Sequence, residues 1–470
     1  MTMTSPSNLL KEPSGETSLQ RKNVKIELKK SDILNALYQN KLGLKSGEDQ
    51  FKPCPVTLKP WKISKTLFRQ AQLTAQSLSL LFTRVSMNHG YLKKALEDYS
   101  ADSSLLFKLK EIAFSQQPTI AKNLNLIRQD FLLDAQLQWR LVEANSIAAG
   151  MGPFNDKLVN IQQSLTQNNA TQFAPNSALK LQAAEIYKAA SNSNRNQNPL
   201  VVFVIQENED NIYDQELLAN ALQELGAIVM RKTLNQLATE LKSKSKKLYL
   251  ADTKKVDLFY FRTGYNLADY SLSNNKKNNI NEQKRILKFR NWIEHHETNV
   301  CPKVEMQIAT SKWVQMKLSK LTKSELSDYF FLSDRQALLV YNALKVPYTA
   351  TNDTEVIRSK LNSGNWLLKS QNEGGGNVDD QYSYSIEKRS SQESLMLMKK
   401  IDTYVRNEQV SIYFDNQVSV HTNLISELGI FTLGDQHDYG GYLMRSKHEG
   451  QLEAGVHGGY GFLDCIAFYD

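Results

Sequence analysis

From residue 64 to 86 apolar side chains recur at helical spacing (Leu67, Ala71, Ala75, Leu78, Phe82, Val85), and the run stops at Asn88, His89 and Gly90. That pattern predicts one long packing helix. A second helical region is predicted over 91–124, and a strand over 137–143 that leads into the small-residue segment 144–152. After the Asn-rich stretch 191–198 the pattern changes. Leu200–Ile205 is an unbroken apolar run of the kind buried on both faces of a parallel sheet. A helix follows with Leu218, Leu222 and Leu225 on one face and Gly226 as its stop. Strands at 228–230 and Leu258–Phe261, then a helix over 282–296, continue the alternation as far as Cys301 and Pro302. Strand–helix alternation over about 100 residues predicts a Rossmann-like parallel α/β unit. Beyond 303, helices over 324–344 mix with short strands and Gly-rich turns, and no repeat of fixed period is present. The chain is thus expected to be α/β in four parts: a flexible arm at 1–30, a helical and strand part at 31–198, a Rossmann-like α/β unit at 199–303, and a mixed part at 304–470.

Composition narrows the class. A chain of 470 residues has room for two or three domains with real cores. No apolar run approaches the roughly 18 residues that span a bilayer, and the N-terminus lacks a signal peptide's apolar core. No membrane partner is therefore expected. Three cysteines without a CxxC argue against a disulfide framework or zinc ribbon, so a cytoplasmic setting is expected. The net charge of +8 suits anionic partners, but the basic residues are scattered. Lys242 to Lys247 and the run 274–279 read as solvated loops or hairpin tips, without the aromatic platforms of a nucleic-acid surface. Four of the seven histidines lie between His421 and His457, yet none has metal-ligand spacing. No Ser/His/Asp or Cys/His arrangement is present either.

Five segments carry candidate chemistry. The strand from Trp366 delivers Lys369, then Glu373, then Gly374, Gly375, Gly376 and Asn377. Glycines let backbone N–H groups close around phosphates, a lysine supplies a point charge, and a glutamate is a hard oxygen ligand of the kind Mg²⁺ prefers. The spacing matches neither GxGxxG nor GxxxxGK[ST], and a plain turn between two strands fits the local pattern equally well. Glu143 and Asn145 stand two apart on a strand, so their oxygens share a face and can meet one cation; a turn with a satisfied Asn is the alternative. The polar loop 206–215 follows a buried strand, where open parallel sheets bind ligands, although a solvated helix cap reads the same way. Arg262 and Tyr265 follow another strand, Arg262 being either a carboxylate fork or a surface arginine. Arg445 and Lys447 share one strand face, followed by a glycine-rich run from Glu453 that either closes over a small substrate or trails a basic strand edge.

Seven islands in order (126–128, 142–147, 206–215, 261–265, 369–377, 425–431 and 443–447) make the chain resemble the eukaryotic-type glutathione synthetase family of ATP-grasp ligases. The resemblance implies an ATP-grasp body with mixed sheets, a helical N-terminal region and the inserted Rossmann-like domain. It implies Mg²⁺- and ATP-dependent joining of γ-glutamylcysteine to glycine through an acyl phosphate, and a homodimer. Carried over by motif, Glu143, Asn145 and Glu373 would hold two Mg²⁺ ions, and Lys312 and Lys369 would touch phosphate oxygens. Gly374, Gly375, Gly376 and Asn377 would form a lid, and Met398, Lys399, Lys400 and Ile401 an adenine-reading hinge. Glu427, Lys447 and Glu453 would complete the nucleotide site. Arg128 and Arg445 would clamp the reacting carboxylates. Glu209, Asn211, Gln215, Arg262 and Tyr265 would hold the γ-glutamyl end, and Val456 and His457 the glycine. The chain also departs from the family. Ala148 and Gly150 replace two dipeptide-contacting serines, so two hydrogen bonds of about 1 kcal/mol each are either missing or supplied by other groups. His457 stands where the family has a small residue, Lys399 replaces an acidic one, and Asp380 aligns with a tyrosine. These departures leave two rivals: a ligase of the same family with other acceptors, or a non-catalytic nucleotide-binding homologue.

Overall fold

The computed structural model describes residues 29–469 apart from 48–49, 102–103, 115–118, 167–170, 192–197, 251–253, 272–279, 372–376, 391–393 and 457–458. The expected arm at 1–30 and the basic run 274–279 therefore lie almost wholly or wholly outside the described residues.

The long apolar period becomes the helix Lys65–Met87, started by the Ser64 side chain, which accepts the Leu67 N–H. Its buried face includes Leu67, Ala71, Ala75, Leu78, Phe82 and Val85. That face packs on the strand Leu424–Leu433 and on the helices Val304–Ala309 and Asp334–Leu344. The region expected to be helical over 91–124 is instead two helices, His89–Ala95 and Leu105–Ala113, followed by the strand Lys122–Asn123. Lys122 and Asn123 depart from helix because they pair with Asn299 and Val300 at the edge of the parallel sheet.

That sheet has five parallel strands in the order Lys122–Asn123, Asn299–Cys301, Leu258–Phe261, Leu200–Ile205, Ile228–Thr233. The central runs are buried on both faces, as the unbroken apolar pattern requires. Its helix Ile212–Glu224 buries Leu218 and Leu222, whereas Leu225 caps the C-terminus and is 43% exposed. Gly226 then takes a φ of +94°, which only glycine adopts freely. The helices expected over 324–344 are Lys323–Phe330 and Asp334–Leu344. Phe331 takes a left-handed φ between them, and Ser333 with Gln336 forms a capping box that restarts the chain. The basic run Lys242 to Lys247 is a hairpin tip, with Ser245 and Lys246 both at positive φ.

Two further sheets frame the cleft. One is eight-stranded, in the order Gln417–His421, Val410–Phe414, Val56–Thr57, Phe462–Asp464, Asp438–His448, Leu424–Leu433, Leu126–Leu133, Trp139–Asn145. The other is antiparallel, in the order Tyr348–Thr351, Leu395–Lys399, Trp366–Lys369, Val378–Asp379. The strand expected at 137–143 begins at Trp139, because Leu137 turns at positive φ while the Asp134 carboxylate accepts the Gln136 and Gln138 N–H groups. It then runs on to Asn145.

No helix among the described residues is long and apolar enough to cross a membrane. Cys54, Cys301 and Cys465 are buried free thiols. Phe82 is wholly buried in the central helix. Phe82→Ala should cost about 3–5 kcal/mol, read as a lowered midpoint of denaturant unfolding; an unchanged midpoint would show that this helix is not part of the core.

Candidate active site

A cleft of about 920 Å³ opens between the two framing sheets. The loops after the parallel strands, 206–211 and 262–265, and the segment 450–456 contribute to its walls.

The floor is set by strand register. Arg128 and Asp130 stand two apart on Leu126–Leu133 and so share a face. Across the ladder, Arg128 faces Asn145 and Asp130 faces Glu143 on one side, while Asp130 faces Gly429 on the other. The Arg128 Nε and Nη2 donate to the two Asp130 carboxylate oxygens at 2.7 Å each, a fork-to-fork pair. Arg445 Nη2 donates to Asp130 Oδ2 at 3.2 Å and also to Glu427, its cross-strand neighbour. Asn145 Nδ2 donates to the same Asp130 oxygen at 3.1 Å and to Glu143 Oε1 at 3.3 Å. Gly429 makes room for this. A Cβ there would lie 2.5 Å from Asp130 Oδ1 and 2.9 Å from Arg128 Cδ.

Lys312 Nζ lies 3.8 Å from Glu143, and Lys369 Nζ donates to the Val142 carbonyl at 3.0 Å. Burial pushes the Glu143 carboxyl up, but Lys312, Lys369, Arg128 and Arg445 outweigh it and hold it at about 2. Burial works against the Arg445 charge, yet Glu427 and Asp130 raise its pKa above the ordinary guanidinium value. Lys447 is shifted down by burial and donates to the Leu452 carbonyl at 2.8 Å. The result is a cation-rich floor in which Glu143 stays ionised.

Leu367, Met398, Lys400, Ile401 and Ile425 line the same cleft, while the Lys399 side chain points outward and is exposed. Asn377 N–H donates to Glu453 Oε1 at 2.9 Å, which ties the chain after the triglycine to the 450–456 segment. Ser370 N–H donates to the Asn377 carbonyl at 3.1 Å. Glu373, Gly374, Gly375, Gly376 and His457 lie outside the described residues. Val456 lines the cleft.

At the opposite end, Ala148, Gly150, Glu209, Asn211, Arg262 and Tyr265 all line the cleft. Gln215 does not: it is buried behind Glu209, donating to its Oε2 at 2.6 Å and accepting from Arg231. Tyr265 Oη accepts from Gln206, and burial pushes its phenol up to about 12. Asn211 Oδ1 and Arg262 Nε are buried without a hydrogen-bond partner. Arg262 is ion-paired to Asp214 at 3.1 Å, while the Arg262, Asn211 and Glu209 side chains together line this part of the cleft.

Sequence reasoning did not single out Asp130, Gly429 or Asp214. Asp130 carries a local signal, a carboxylate two residues from Arg128 on one strand. Gly429 and Asp214 act only through residues distant in the chain. Among the described residues no group of three His, Cys, Asp or Glu is placed to hold a metal. His437 is bonded to Ser79 Oγ, while His421 and His448 contact each other.

Residues 18–468 match the family model described as eukaryotic glutathione synthase, ATP binding domain. A glutathione synthetase of Dictyostelium discoideum is 25% identical over 444 residues, covering 87% of this chain and 90% of that protein. A chloroplastic glutathione synthetase of Solanum lycopersicum is 27% identical over 443 residues, covering 88% and 77%. A solved glutathione synthetase-like effector of Globodera pallida in its apo form shares the fold, with a TM-score of 0.66 at 17% identity over 93% of this chain and 96% of that one.

Two measurements test the electrostatics. Glu143 should stay ionised, and stabilising, at every pH above the ordinary glutamate value of about 4.3, losing that contribution only as pH falls toward about 2. Lys312→Met should raise the midpoint of its carboxyl resonance; an unmoved midpoint would contradict the counter-charge role. Asp130→Asn should destabilise the fold by about 3–5 kcal/mol, because it leaves one buried and one half-buried guanidinium group short of their shared anion. A loss under about 1 kcal/mol, in the range of an exposed pair, would contradict it.

Proposed function

Because the chain belongs to the eukaryotic glutathione synthase family and is an ATP-dependent ligase, we propose that it joins γ-glutamylcysteine to glycine, converting ATP to ADP and phosphate. The observation that carries this reading is the order of chemistry along one cleft. Lys312 adjoins Glu143, Glu143 adjoins Asn145, Asn145 shares Asp130 with Arg128 and Arg445, and Arg128 reaches Gly150 beside Arg262, Glu209 and Asn211.

In this reading Arg262 holds the α-carboxylate of the γ-glutamyl head, while Glu209, Asn211 and Tyr265 hold its ammonium side, with Gln215 bracing Glu209. Ala148 and Gly150 lie beside the dipeptide. Lys312 and Lys369 hold the ATP phosphates, and Met398, Lys399, Lys400 and Ile401 pass along the adenine. Glu427, Lys447 and Glu453 complete that end, and Gly374, Gly375, Gly376 and Asn377 close over it. Val456 and His457 border the glycine.

The residues fit Mg²⁺. Glu143 and Asn145 adjoin on one strand face, Glu143 is ionised at any ordinary pH, and the Asn145 amide, whose nitrogen donates to Glu143 and Asp130 here, would turn its oxygen to the cation; Mg²⁺ completes its shell with substrate phosphates rather than a full protein cage. Glu143, Asn145 and Glu373 would hold two such ions, whose chemistry is to neutralise phosphate charge. Arg128 and Arg445 orient the dipeptide's C-terminal carboxylate. One of its oxygens bonds to the γ-phosphorus as the bond to the ADP oxygen breaks, which gives an acyl phosphate. The glycine amine then attacks the carbonyl carbon, phosphate leaves with both electrons of the C–O bond, and the amine proton passes to water or phosphate. Charge stabilisation and alignment suffice for both steps, without a protein nucleophile.

A second reading, a ligase with another dipeptide or amino-acid acceptor, is favoured by Ala148 and Gly150. The reading also carries a homodimer and a reducing, cytoplasmic setting, the latter supported by three buried thiols. ADP release should require γ-glutamylcysteine, glycine and Mg²⁺ together, and chelation of the cation should abolish it. Glu373→Ala should remove nearly all turnover while the protein stays folded. ADP release stimulated by a different dipeptide and not by γ-glutamylcysteine would transfer the assignment to the second reading.

A further inference from the structure

Lys312 and Lys369 meet beside Glu143, yet they come from parts of the chain that pack separately. Lys369 lies on the four-stranded antiparallel sheet, which has a small core of its own in Leu368, Leu395 and Leu397 with Ile357, Leu361 and Ile386. Lys312 opens the helix Lys312–Leu318, whose Trp313 is buried in the main core and donates from its ring nitrogen to the Ala95 carbonyl at 3.1 Å. Gln371 joins the two. Its Oε1 accepts the Trp313 N–H at 2.9 Å, and its Nε2 lies 3.8 Å from the Met396 sulfur. Met396 is the cross-strand partner of Lys369, so the amide is oriented from the lysine's own ladder. The Trp313 N–H is one of the donors that a helix start leaves without an intrahelical partner. Ser311, the cap of this helix, serves Val314 instead, at 3.4 Å. The cleft is lined by Lys312 and Lys369 but not by Gln371 or Trp313, so this bond acts from behind its wall.

We propose that Gln371 is a positioning residue that caps the start of the Lys312 helix from the neighbouring sheet, and so fixes Lys312 opposite Lys369 as a paired receptor for the ATP phosphates. The inference rests on the ligase reading above, in which both lysines touch phosphate. A lysine reaches its target on a flexible four-carbon stem, so alignment depends on where its backbone is held. A second tie joins the same helix to the same sheet. Gln315 Nε2 donates to Tyr348 Oη at 3.0 Å and to the Val142 carbonyl at 3.3 Å, the carbonyl that also accepts from Lys369 Nζ. Gln315 stands three residues beyond Lys312, whereas Trp313 is its immediate neighbour. Loss of the Gln371 oxygen therefore leaves the helix attached through Gln315 and frees the end that carries the lysine.

The test uses Gln371→Met, which keeps the side chain's length and removes its oxygen. Calorimetric titration with ATP and Mg²⁺, without the other substrates, should show ATP binding weakened by roughly tenfold, the upper end of what one hydrogen bond contributes. The Kd for γ-glutamylcysteine should be unchanged. In a Lys312→Met background the same substitution should weaken ATP binding no further, because Gln371 acts through that lysine; a merely structural role would add its loss in both backgrounds. Undiminished ATP affinity in Gln371→Met, an equal loss in both backgrounds, or a matching loss of γ-glutamylcysteine binding overturns the proposal. So does a Gln371→Met chain that fails to fold, since the bond would then hold the fold and not the lysine. The crystal structure of Gln371→Met supplies the geometric check: Lys312 Nζ drawn away from Glu143 supports the proposal, and Lys312 unmoved refutes it. ATP bound by Lys312→Met as tightly as by the unsubstituted protein defeats instead the reading that places phosphate at Lys312, and the proposal falls with it.

Discussion

One fully buried carboxylate organises the centre of this molecule. Asp130 receives both forks of Arg128 and one oxygen's worth of Arg445 and Asn145, all on the floor of the cleft. Two like charges about 4 Å apart repel by roughly 4 kcal/mol at an effective dielectric near 20. Guanidinium groups brought to a common oxygen therefore need an anion there to remain aimed into the cavity. The cost falls on neighbouring strands, where Gly429 must be bare for Asp130 and Arg128 to cross above it. The excess of cations that remains, with Lys312 and Lys369 beside Glu143, is what a polyphosphate would neutralise.

The far end of the cleft is held by segments remote in sequence. Lys45 N–H donates to the Asp210 carbonyl from the hairpin Gly43–Ser46 and Gln50–Pro53, and Phe51 packs edge-on against Tyr213. Gly43 lets the Phe51 ring approach, since a Cβ there would lie 2.4 Å from it. The loop 206–211 is thus pinned from outside the parallel sheet whose strand end supplies it. The sheet itself borrows Lys122–Asn123 from the chain far upstream of its other strands. Sequence continuity is a poor guide to which parts pack together here.

What could be read from the sequence was local. Leu200–Ile205 and Leu258–Phe261 fall where the unbroken apolar runs put them, because burial on both faces leaves a compositional signature in the strand itself. The long helix was equally legible from its period and its Ser64 cap. Leu225 was misread because the apolar spacing continues one residue past the helix, into a cap that solvent reaches. Lys122–Asn123 carries no pattern of its own and becomes a strand only through its partner. The same distinction runs through the site. Glu143, Asn145, Lys369, Arg445 and Lys447 stand in recognisable islands, and all line one cleft. Gly429 and Asp214 depend on cross-strand register and on loops meeting from afar, which no local window contains.

A crystal structure of the protein with ADP, Mg²⁺ and a phosphorylated phosphinate analogue of the dipeptide tests the account most directly. It should show the transferred phosphoryl group between Lys312 and Lys369, the analogue's reacting centre against Arg128 and Arg445, and its distal carboxylate on Arg262. An analogue bound with its distal carboxylate away from Arg262, or phosphates remote from Lys312 and Lys369, would contradict it.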